Sequence, residues 1–492
     1  MEFELLFGPE DVQAARPGTE ALAEDLRLDL LLDAMAGDDR RMADACRRVL
    51  LHPLTDRKAI AQRCAVRRDA VTHPRLLGAW LTSARDALDG AARYAEFQKP
   101  RYDRIISNQK KLLTEIKIAR LYLQCLRRIR AAAAAETGTF ASPAVRAFLE
   151  VIRVRFGEET LARMEARLDT LDGLKRSDDL TLGAVVGGGL RPASAVLHGL
   201  AANARDRKLQ ARRQETAIPL SSVALVRNAE DIVQNAVLPL FRTAADFNRE
   251  MRNFLEKLSF QLCFYLGCAR LEDRLRAVGV PLCEPRIDPA CGGIESDALI
   301  NAGLALQEKS APAGNGVRFA GKRLVLITGV NQGGKTTFLR SVGQAQLMAQ
   351  CGLFVTAERY VCPPYEGVYS HFPSGEDTAR GMGLLDVELN KLSGIVDCVG
   401  PHSLLLLNET FQTTMPSDAK YLADRAVRAL TDCGVTVVFV THLYAYAAGQ
   451  YAARPDGVLF LRADRENGYR LREGEPRASA EGEALYREVL NG

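Results

Sequence analysis

The feature that most constrains the fold is a glycine-rich segment in the second half of the chain. Residues 329–336 read GVNQGGKT and match the pattern GxxxxGK[ST]. An apolar run at 324–327 precedes the segment, and a helical pattern at 337–350 follows it. Glycines at a helix N-terminus let backbone N–H groups converge on phosphate, so this context predicts a phosphate-binding loop (P-loop) in an α/β domain. The alternative is a chance glycine-rich turn.

The segment predicts a site for ATP and Mg²⁺. Lys335, interpreted as an exposed loop lysine with a catalytic role, would reach the β- and γ-phosphates, and Thr336 would coordinate Mg²⁺. The residues predicted to bind the nucleotide are Gly329, Asn331, Gly333, Gly334, Lys335, Thr336 and Thr337.

Two further polar elements follow apolar runs that predict buried strands. Glu409, after the run at 404–407, is expected to orient or deprotonate an attacking water. Asn408 stands where P-loop ATPases usually carry an aspartate associated with the metal, and we assign it to the Mg²⁺ site. His442 ends the segment VTH at 440–442 and is a candidate catalytic residue that senses the γ-phosphate. The alternatives are ordinary turn residues at 408–409 and a structural histidine.

The rest of the chain divides by its periodicity. From 21 to about 171 the pattern is helical, and apolar residues at 105, 112, 116, 119, 123 and 126 predict one stripe of a bundle core. Glycines break the pattern between 179 and 219, and helix resumes from about 222 to 278. After residue 321, apolar runs at 323–328, 403–407, 435–440 and 458–461 predict a mostly parallel sheet.

Composition excludes several classes of protein. Hydrophobic residues make up 47% and charged residues 26% of the 492 residues, which is typical of a soluble globular protein. We find no apolar run near the roughly 18 residues of a membrane span and no signal-peptide pattern, so we expect a cytoplasmic protein without membrane contact. The 11 cysteines form no CxxC pair, which argues against a zinc site.

The three polar elements, in this order, resemble those of the MutS family of DNA mismatch-repair ATPases. Residues 327–340 are similar to the family's P-loop and following helix, 440–442 to its terminal switch, and 483–490 to its closing helix. The resemblance implies a multidomain α + α/β fold with a helical lever/core domain at 1–310 and a P-loop ABC-type ATPase domain at 311–492. It also implies an ATPase that acts as a homodimer and couples nucleotide state to DNA. Because Asn408 lacks the charge of the usual aspartate, we expect a weakened hold on Mg²⁺ and therefore a slow ATPase.

The chain departs from this family in two respects. Gly383 aligns with a serine that, in the family, meets the partner's γ-phosphate. The roughly 320 residues before the P-loop suffice for a lever domain, and we expect no mismatch-recognition and connector domains in addition. The Phe-x-Glu matches at Phe148, Phe156 and Phe254 fall in helical stretches. We therefore expect a shortened MutS-like protein linked to DNA repair or recombination that recognises DNA backbone or branched structure.

The residues themselves carry less information about DNA. A basic cluster lies in and after the glycine-rich stretch, and its residues would contact phosphates without reading sequence. The candidates are Arg205, Arg207, Lys208, Arg212 and Arg213. A solvated surface is the alternative for this cluster. For the whole chain, the alternative function is a nucleotide-gated scaffold or protein-remodelling ATPase that does not bind DNA.

Overall fold

The computed structural model describes nine parts of the chain, and its contacts divide the chain into two compact units. The described residues are 5, 19–96, 107–172, 180–186, 192–200, 223–373, 384–453, 455–463 and 468–476. The first unit takes in Arg75–Thr139 and Val145–Leu262, and the second takes in Glu4–Pro74, Phe140–Ala144 and Cys263–Gly492.

The described helices and strands are numbered here in chain order. The helices are α1 (Thr19–Asp25), α2 (Leu28–Ala36), α3 (Arg40–Leu50), α4 (Arg57–Thr72), α5 (Pro74–Glu96), α6 (Asn108–Ala135), α7 (Pro143–Arg155), α8 (Glu158–Asp172), α9 (Val223–Ala277), α10 (Ala302–Glu308), α11 (Lys335–Gln350), α12 (Leu384–Val396), α13 (Pro416–Asp432) and α14 (Tyr444–Ala453). The strands are β1 (Leu180–Val186), β2 (Pro192–Leu200), β3 (Arg286–Ile287), β4 (Glu295–Leu299), β5 (Asn315–Arg318), β6 (Leu324–Gly329), β7 (Arg359–Cys362), β8 (Val368–His371), β9 (Leu404–Asn408), β10 (Thr436–Val440), β11 (Val458–Ala463) and β12 (Leu471–Glu473).

The first unit is mainly helical, as its periodicity predicts. The apolar stripe lies on α6 and forms core, since Leu112, Ile116, Ala119, Leu123 and Leu126 are all at most 5% exposed. Position 105 of the stripe lies outside the described residues. The prediction of bundle core for this stripe is confirmed.

Aromatic side chains fill the same core. Trp80 on α5 is buried, donates its Nε1–H to the carbonyl of Ile129 at 3.1 Å, and meets Phe148 edge-on at 5.1 Å between ring centroids. Phe156 and Phe254 also pack together, 6.1 Å apart. All three phenylalanines of the Phe-x-Glu matches are therefore buried core residues.

The helix predicted near 222–278 is one 55-residue helix, α9, with Pro239 inside it. At 1.5 Å per residue it is about 80 Å long. The described part of the glycine-rich stretch forms an antiparallel pair, β1 with β2. The five basic candidates for DNA contact lie outside the described residues.

The second unit contains a six-stranded sheet in the order β12-β11-β6-β10-β9-β8. Strands β11, β6, β10, β9 and β8 pair in parallel, and β12 pairs antiparallel with β11 at one edge. The four predicted strands match β6, β9, β10 and β11 within two residues at each end. The prediction of a mostly parallel sheet is confirmed for these strands.

Both faces of this sheet are covered, which explains the continuous apolar runs. On β6, Leu324 and Leu326 join a core cluster that includes Ala423 and Val427 of α13. Helix α11 carries buried glutamines, and these are satisfied by carbonyl groups of neighbouring segments. Gln344 donates to the carbonyl of Leu26 at 2.8 Å.

The stretch between α9 and β6 also contains regular structure. Strands β3, β4 and β5 and helix α10 lie in this stretch, and β7, from later in the chain, completes a four-stranded sheet in the order β3-β7-β4-β5. Helices α1 to α4 belong to the same contact-defined unit as the P-loop segment. The domain boundary at residue 310 stays a prediction, because compact contact units and family domains need not share their limits.

No helix in the described ranges has both the length and the apolar character needed to cross a membrane.

Candidate functional site

The glycine-rich segment connects the central strand β6 to the first turn of α11. A Cβ atom at Gly329 would lie 2.4 Å from the carbonyl oxygen of Ala463, and one at Gly333 would lie 2.9 Å from that of Val330. Only glycine fits at either position. The loop ends at the N-terminus of α11, where backbone N–H groups and the helix dipole favour an anion. This geometry fits a phosphate group.

Lys335 is the first residue of α11 and is only 4% exposed. Its Nζ donates to the carbonyl groups of Gly329 and Val330, at 2.9 Å each. The prediction of an exposed loop lysine is wrong, because the glycine-rich loop folds back over the ammonium group. These two bonds hold a positive charge inside the loop, at the N-terminus of α11.

The next residue, Thr336, contacts the end of a neighbouring strand. Its Oγ1 donates to Oδ1 of Asn408 at 2.9 Å. Asn408 is the last residue of β9 and is 7% exposed. A hydroxyl and an amide oxygen at this separation are hard, oxygen-type donors of the kind that Mg²⁺ takes together with phosphate oxygens and water. The pair fits the predicted Mg²⁺ site.

Glu409 and His442 meet at the same edge of the sheet. The pairing of Val440 with both Asn408 and Ile327 brings the carboxyl ends of β9, β10 and β6 level. Nε2 of His442 lies 2.9 Å from Oε1 of Glu409, and the two side chains are 22% and 28% exposed.

The hydrogen bond from His442 and the positive charge of nearby Lys335 hold the pKa of Glu409 below its usual value, against the opposing effect of burial. The carboxyl group is therefore ionised at neutral pH. Because an ionised carboxylate only accepts hydrogen bonds, Nε2 of His442 is the donor.

A cavity of ≈ 480 Å³ opens beside these groups. The P-loop residues Asn331, Gly333, Gly334, Lys335, Thr336 and Thr337 line it together with Glu409. Three lining residues that the sequence did not indicate are Asn301, Leu304 and Tyr469. Asn301 caps α10 and donates its Nδ2–H to the carbonyl of Thr337 at 3.0 Å. An Asn before a helical pattern is a capping signal in the sequence. Its contact with Thr337 could not be predicted, because 36 residues separate Asn301 from Thr337.

Comparisons with known proteins match both halves of the chain. The family model for the MutS2 N-terminal domain matches residues 55–278, and the model for MutS domain V matches residues 325–454. The chain belongs to the MutS family. The predicted resemblance is therefore confirmed, and the MutS domain V match contains Lys335, Thr336, Asn408, Glu409 and His442.

Individual relatives match over a shorter stretch. The DNA mismatch repair protein MutS of Thermotoga maritima is 36% identical to this chain over 121 residues. The matched residues make up 25% of this chain and 15% of the relative. The DNA mismatch repair protein MutS of Thermus aquaticus is 35% identical over 125 residues, with the same two shares. The matched stretch is thus a small part of these curated relatives.

Proposed function

We propose that this chain is an ATP-dependent DNA-binding protein of MutS type that recognises DNA backbone or branched structure in DNA repair or recombination. ATP binding and slow hydrolysis would switch a homodimer between states. The observation that carries the proposal is the meeting of Lys335, the Thr336–Asn408 pair and the Glu409–His442 pair at one edge of a parallel sheet.

Each of these side chains has a proposed task. Lys335 and the N-terminus of α11 would bind and orient the phosphates, and Thr336 with Asn408 would hold Mg²⁺, which neutralises phosphate charge when bound. Glu409 would orient the attacking water or take its proton. His442 would hold the Glu409 carboxylate through its 2.9 Å hydrogen bond and sense the γ-phosphate.

Two substitutions test the ATPase part of the proposal. Lys335→Ala removes the buried charge of the loop and should abolish ATP binding, measured by equilibrium titration with a fluorescent ATP analogue.

Glu409→Gln should bind ATP but hydrolyse it about 10²–10⁴-fold more slowly, because general base catalysis contributes about that factor. Unchanged ATP affinity in the first variant, or undiminished turnover in the second, contradicts the proposal.

Matched controls separate these effects from general damage. Lys322→Ala removes a half-buried lysine whose Nζ donates to the carbonyl of Asp456 at 2.6 Å, and it should leave ATP binding unchanged. Glu358→Gln removes an exposed carboxylate that does not line the cavity, and it should leave turnover unchanged.

The rival proposal is a nucleotide-gated scaffold or protein-remodelling ATPase without DNA. Binding is measured by fluorescence anisotropy with linear, mismatched, branched and single-stranded DNA, with and without ATP. The first proposal is favoured if the chain binds any of these DNAs and if ATP changes the affinity. ATP hydrolysis together with absence of binding to every DNA, even at low salt, favours the rival.

A further inference from the structure

The loop that follows Glu409 is held in a strained backbone conformation. Glu409 and Phe411 both have positive φ, at 55° and 74°, although neither is a glycine. For L-residues the left-handed region costs roughly 1–2 kcal/mol per residue. Phe411 is also only 1% exposed, so a bulky side chain is buried at one of these positions. Such conformations persist only where surrounding contacts enforce them, and they cluster at functional sites.

Glu388 of α12 supplies contacts of this kind. Its Oε1 accepts the backbone N–H of Phe411 at 2.5 Å, and its Oε2 accepts the hydroxyl group of Thr413. Glu388 is 9% exposed, so these charge-assisted bonds are largely shielded from water. One carboxylate therefore fixes two positions of the loop, and one of them is the strained Phe411.

Other elements hold the residues between the strand end and these two positions. The N–H of Glu409 donates to the carbonyl of Val440 at 2.8 Å. Nδ1 of His371, at the end of β8, lies 2.9 Å from Oγ1 of Thr410, and both residues are buried. Burial lowers the pKa of His371, so its imidazole is neutral at neutral pH. The loop is thus fixed from three neighbouring segments, and Glu388 is the anionic contact among these.

We propose that Glu388 is a positioning residue for hydrolysis, which acts by holding the loop after β9 so that Glu409 faces the attacking water. This inference rests on the proposed ATPase function. Without the carboxylate, the Phe411 peptide is free to leave the left-handed conformation, and the backbone of Glu409 two residues earlier turns with it. The phosphate-binding groups belong to β6 and α11, so ATP binding does not depend on this loop.

The main test separates turnover from binding. Glu388→Ala should lower kcat about 10²-fold, because a misplacement of about 1 Å in a reacting group costs about that factor, while ATP affinity stays within about twofold. Thr413→Val removes one of the two hydrogen bonds and should lower kcat less. Glu388→Gln keeps one acceptor oxygen for the Phe411 N–H and should retain part of the activity. Asp386→Ala removes an exposed carboxylate in the first turn of the same helix and should leave kcat unchanged.

A double substitution tests whether Glu388 acts through Glu409. In the Glu409→Gln background, Glu388→Ala should cause no further loss of the residual hydrolysis, since the group that it positions has been removed. Multiplying losses in the double variant would overturn the inference. So would unchanged kcat in Glu388→Ala, or a parallel fall of ATP affinity and melting temperature, which indicates a structural role alone.

The outcomes also separate this inference from the function on which it rests. Hydrolysis that requires Glu409 but not Glu388 overturns this inference and leaves the proposed ATPase standing. Hydrolysis that is undiminished in Glu409→Gln, or absent in the native chain, overturns both. If Glu388→Ala does not fold, turnover is compared between the native chain, Glu388→Gln and Thr413→Val. Equal turnover in these three proteins overturns the inference.

Discussion

At the scale of single residues, Asn408 differs from the aspartate that P-loop ATPases usually carry, and its effect on Mg²⁺ binding can be measured. An aspartate at this position would add a full negative charge to the oxygen that Thr336 contacts at 2.9 Å. Loss of such a partner typically costs about 10–100-fold in metal affinity or activity. Asn408→Asp should therefore lower the Mg²⁺ concentration for half-maximal ATP hydrolysis about 10-fold or more, and Asn408→Ala should raise it.

The measurement is ATP turnover across a Mg²⁺ titration for the native chain and both variants. The aspartate variant should also be less stable than the native chain without Mg²⁺, because a charge is then buried at a site that is 7% exposed. Added Mg²⁺ should restore its melting temperature. Superimposable titration curves for all three proteins would mean that Asn408 lies away from the metal.

Asp25, at the end of α1, is predicted to make stability depend on pH. Its Oδ2 accepts the hydroxyl of Ser370 at 2.7 Å, and burial raises its pKa from 3.8 to about 6. Because the folded pKa is the higher one, the contribution of Asp25 to stability is complete below pH 3.8 and is lost as the pH rises through about 6. The difference between the two pKa values corresponds to a change in the free energy of unfolding of about 3 kcal/mol. This is an upper limit, because the side chain is partly exposed and solvent screens its charge.

Asp25→Asn keeps an acceptor oxygen for Ser370 and cannot ionise. It should raise the melting temperature at pH 8, with little change at pH 4, relative to the native chain measured at the same pH. Asp29→Asn is the control, since Asp29 is exposed and pairs with Arg27 at the surface. If the melting temperatures of the Asp25→Asn protein and the native chain depend on pH in the same way, ionisation of this half-buried carboxyl group does not lower stability.

At the scale of elements, the long stripe of α6 is predicted to be a main source of stability in the first unit. Leu126 is 0% exposed, and truncation of a buried leucine leaves a cavity that costs about 2–5 kcal/mol. Leu126→Ala should lose about that free energy of unfolding, while Leu121→Ala, a half-buried position on the same helix, should lose less.

Chemical denaturation followed by tryptophan fluorescence is the measurement. Trp80 is the single tryptophan of the chain, and it lies in the same unit with its indole against Phe148. The signal therefore reports the unit that the substitution perturbs. A loss at Leu126 no larger than that at Leu121 would contradict the assignment of this face to the core.

At the scale of the whole molecule, the proposed DNA contacts predict a dependence on salt. Each phosphate contact adds about 0.9 to the slope of log affinity against log salt for duplex DNA. Replacing Arg205, Arg207, Lys208, Arg212 and Arg213 together by glutamine should reduce that slope by up to about 4.5 and weaken binding at low salt.

The control changes the same number of charges elsewhere. It replaces exposed arginines that pair with carboxylates, and it should leave the slope nearly unchanged. The control residues are Arg128, Arg153, Arg249, Arg286 and Arg428. Equal slopes for both five-residue variants and the native chain would contradict a specific role for the basic cluster.

The sequence alone determined the parts of this protein that depend on local spacing. The P-loop segment between strand and helix, the four parallel strands, the buried stripe of α6 and the membership of the MutS family could all be predicted from it. These follow from short-range patterns: period 2 or continuous apolar runs for strands, period 3.6 for helices, and glycines where a loop approaches another backbone. The positions of Glu409 and His442 directly after predicted buried strands could also be read from the sequence.

Only the tertiary structure decided which distant groups meet. Glu388 contacts Phe411 across 23 positions, Asn301 contacts Thr337 across 36, and Asp25 contacts Ser370 across 345. Such contacts depend on how elements pack, and no spacing in the sequence encodes them. Burial of Lys335 was missed for the same reason, because the carbonyl groups that bind its ammonium become available only when the loop closes over it.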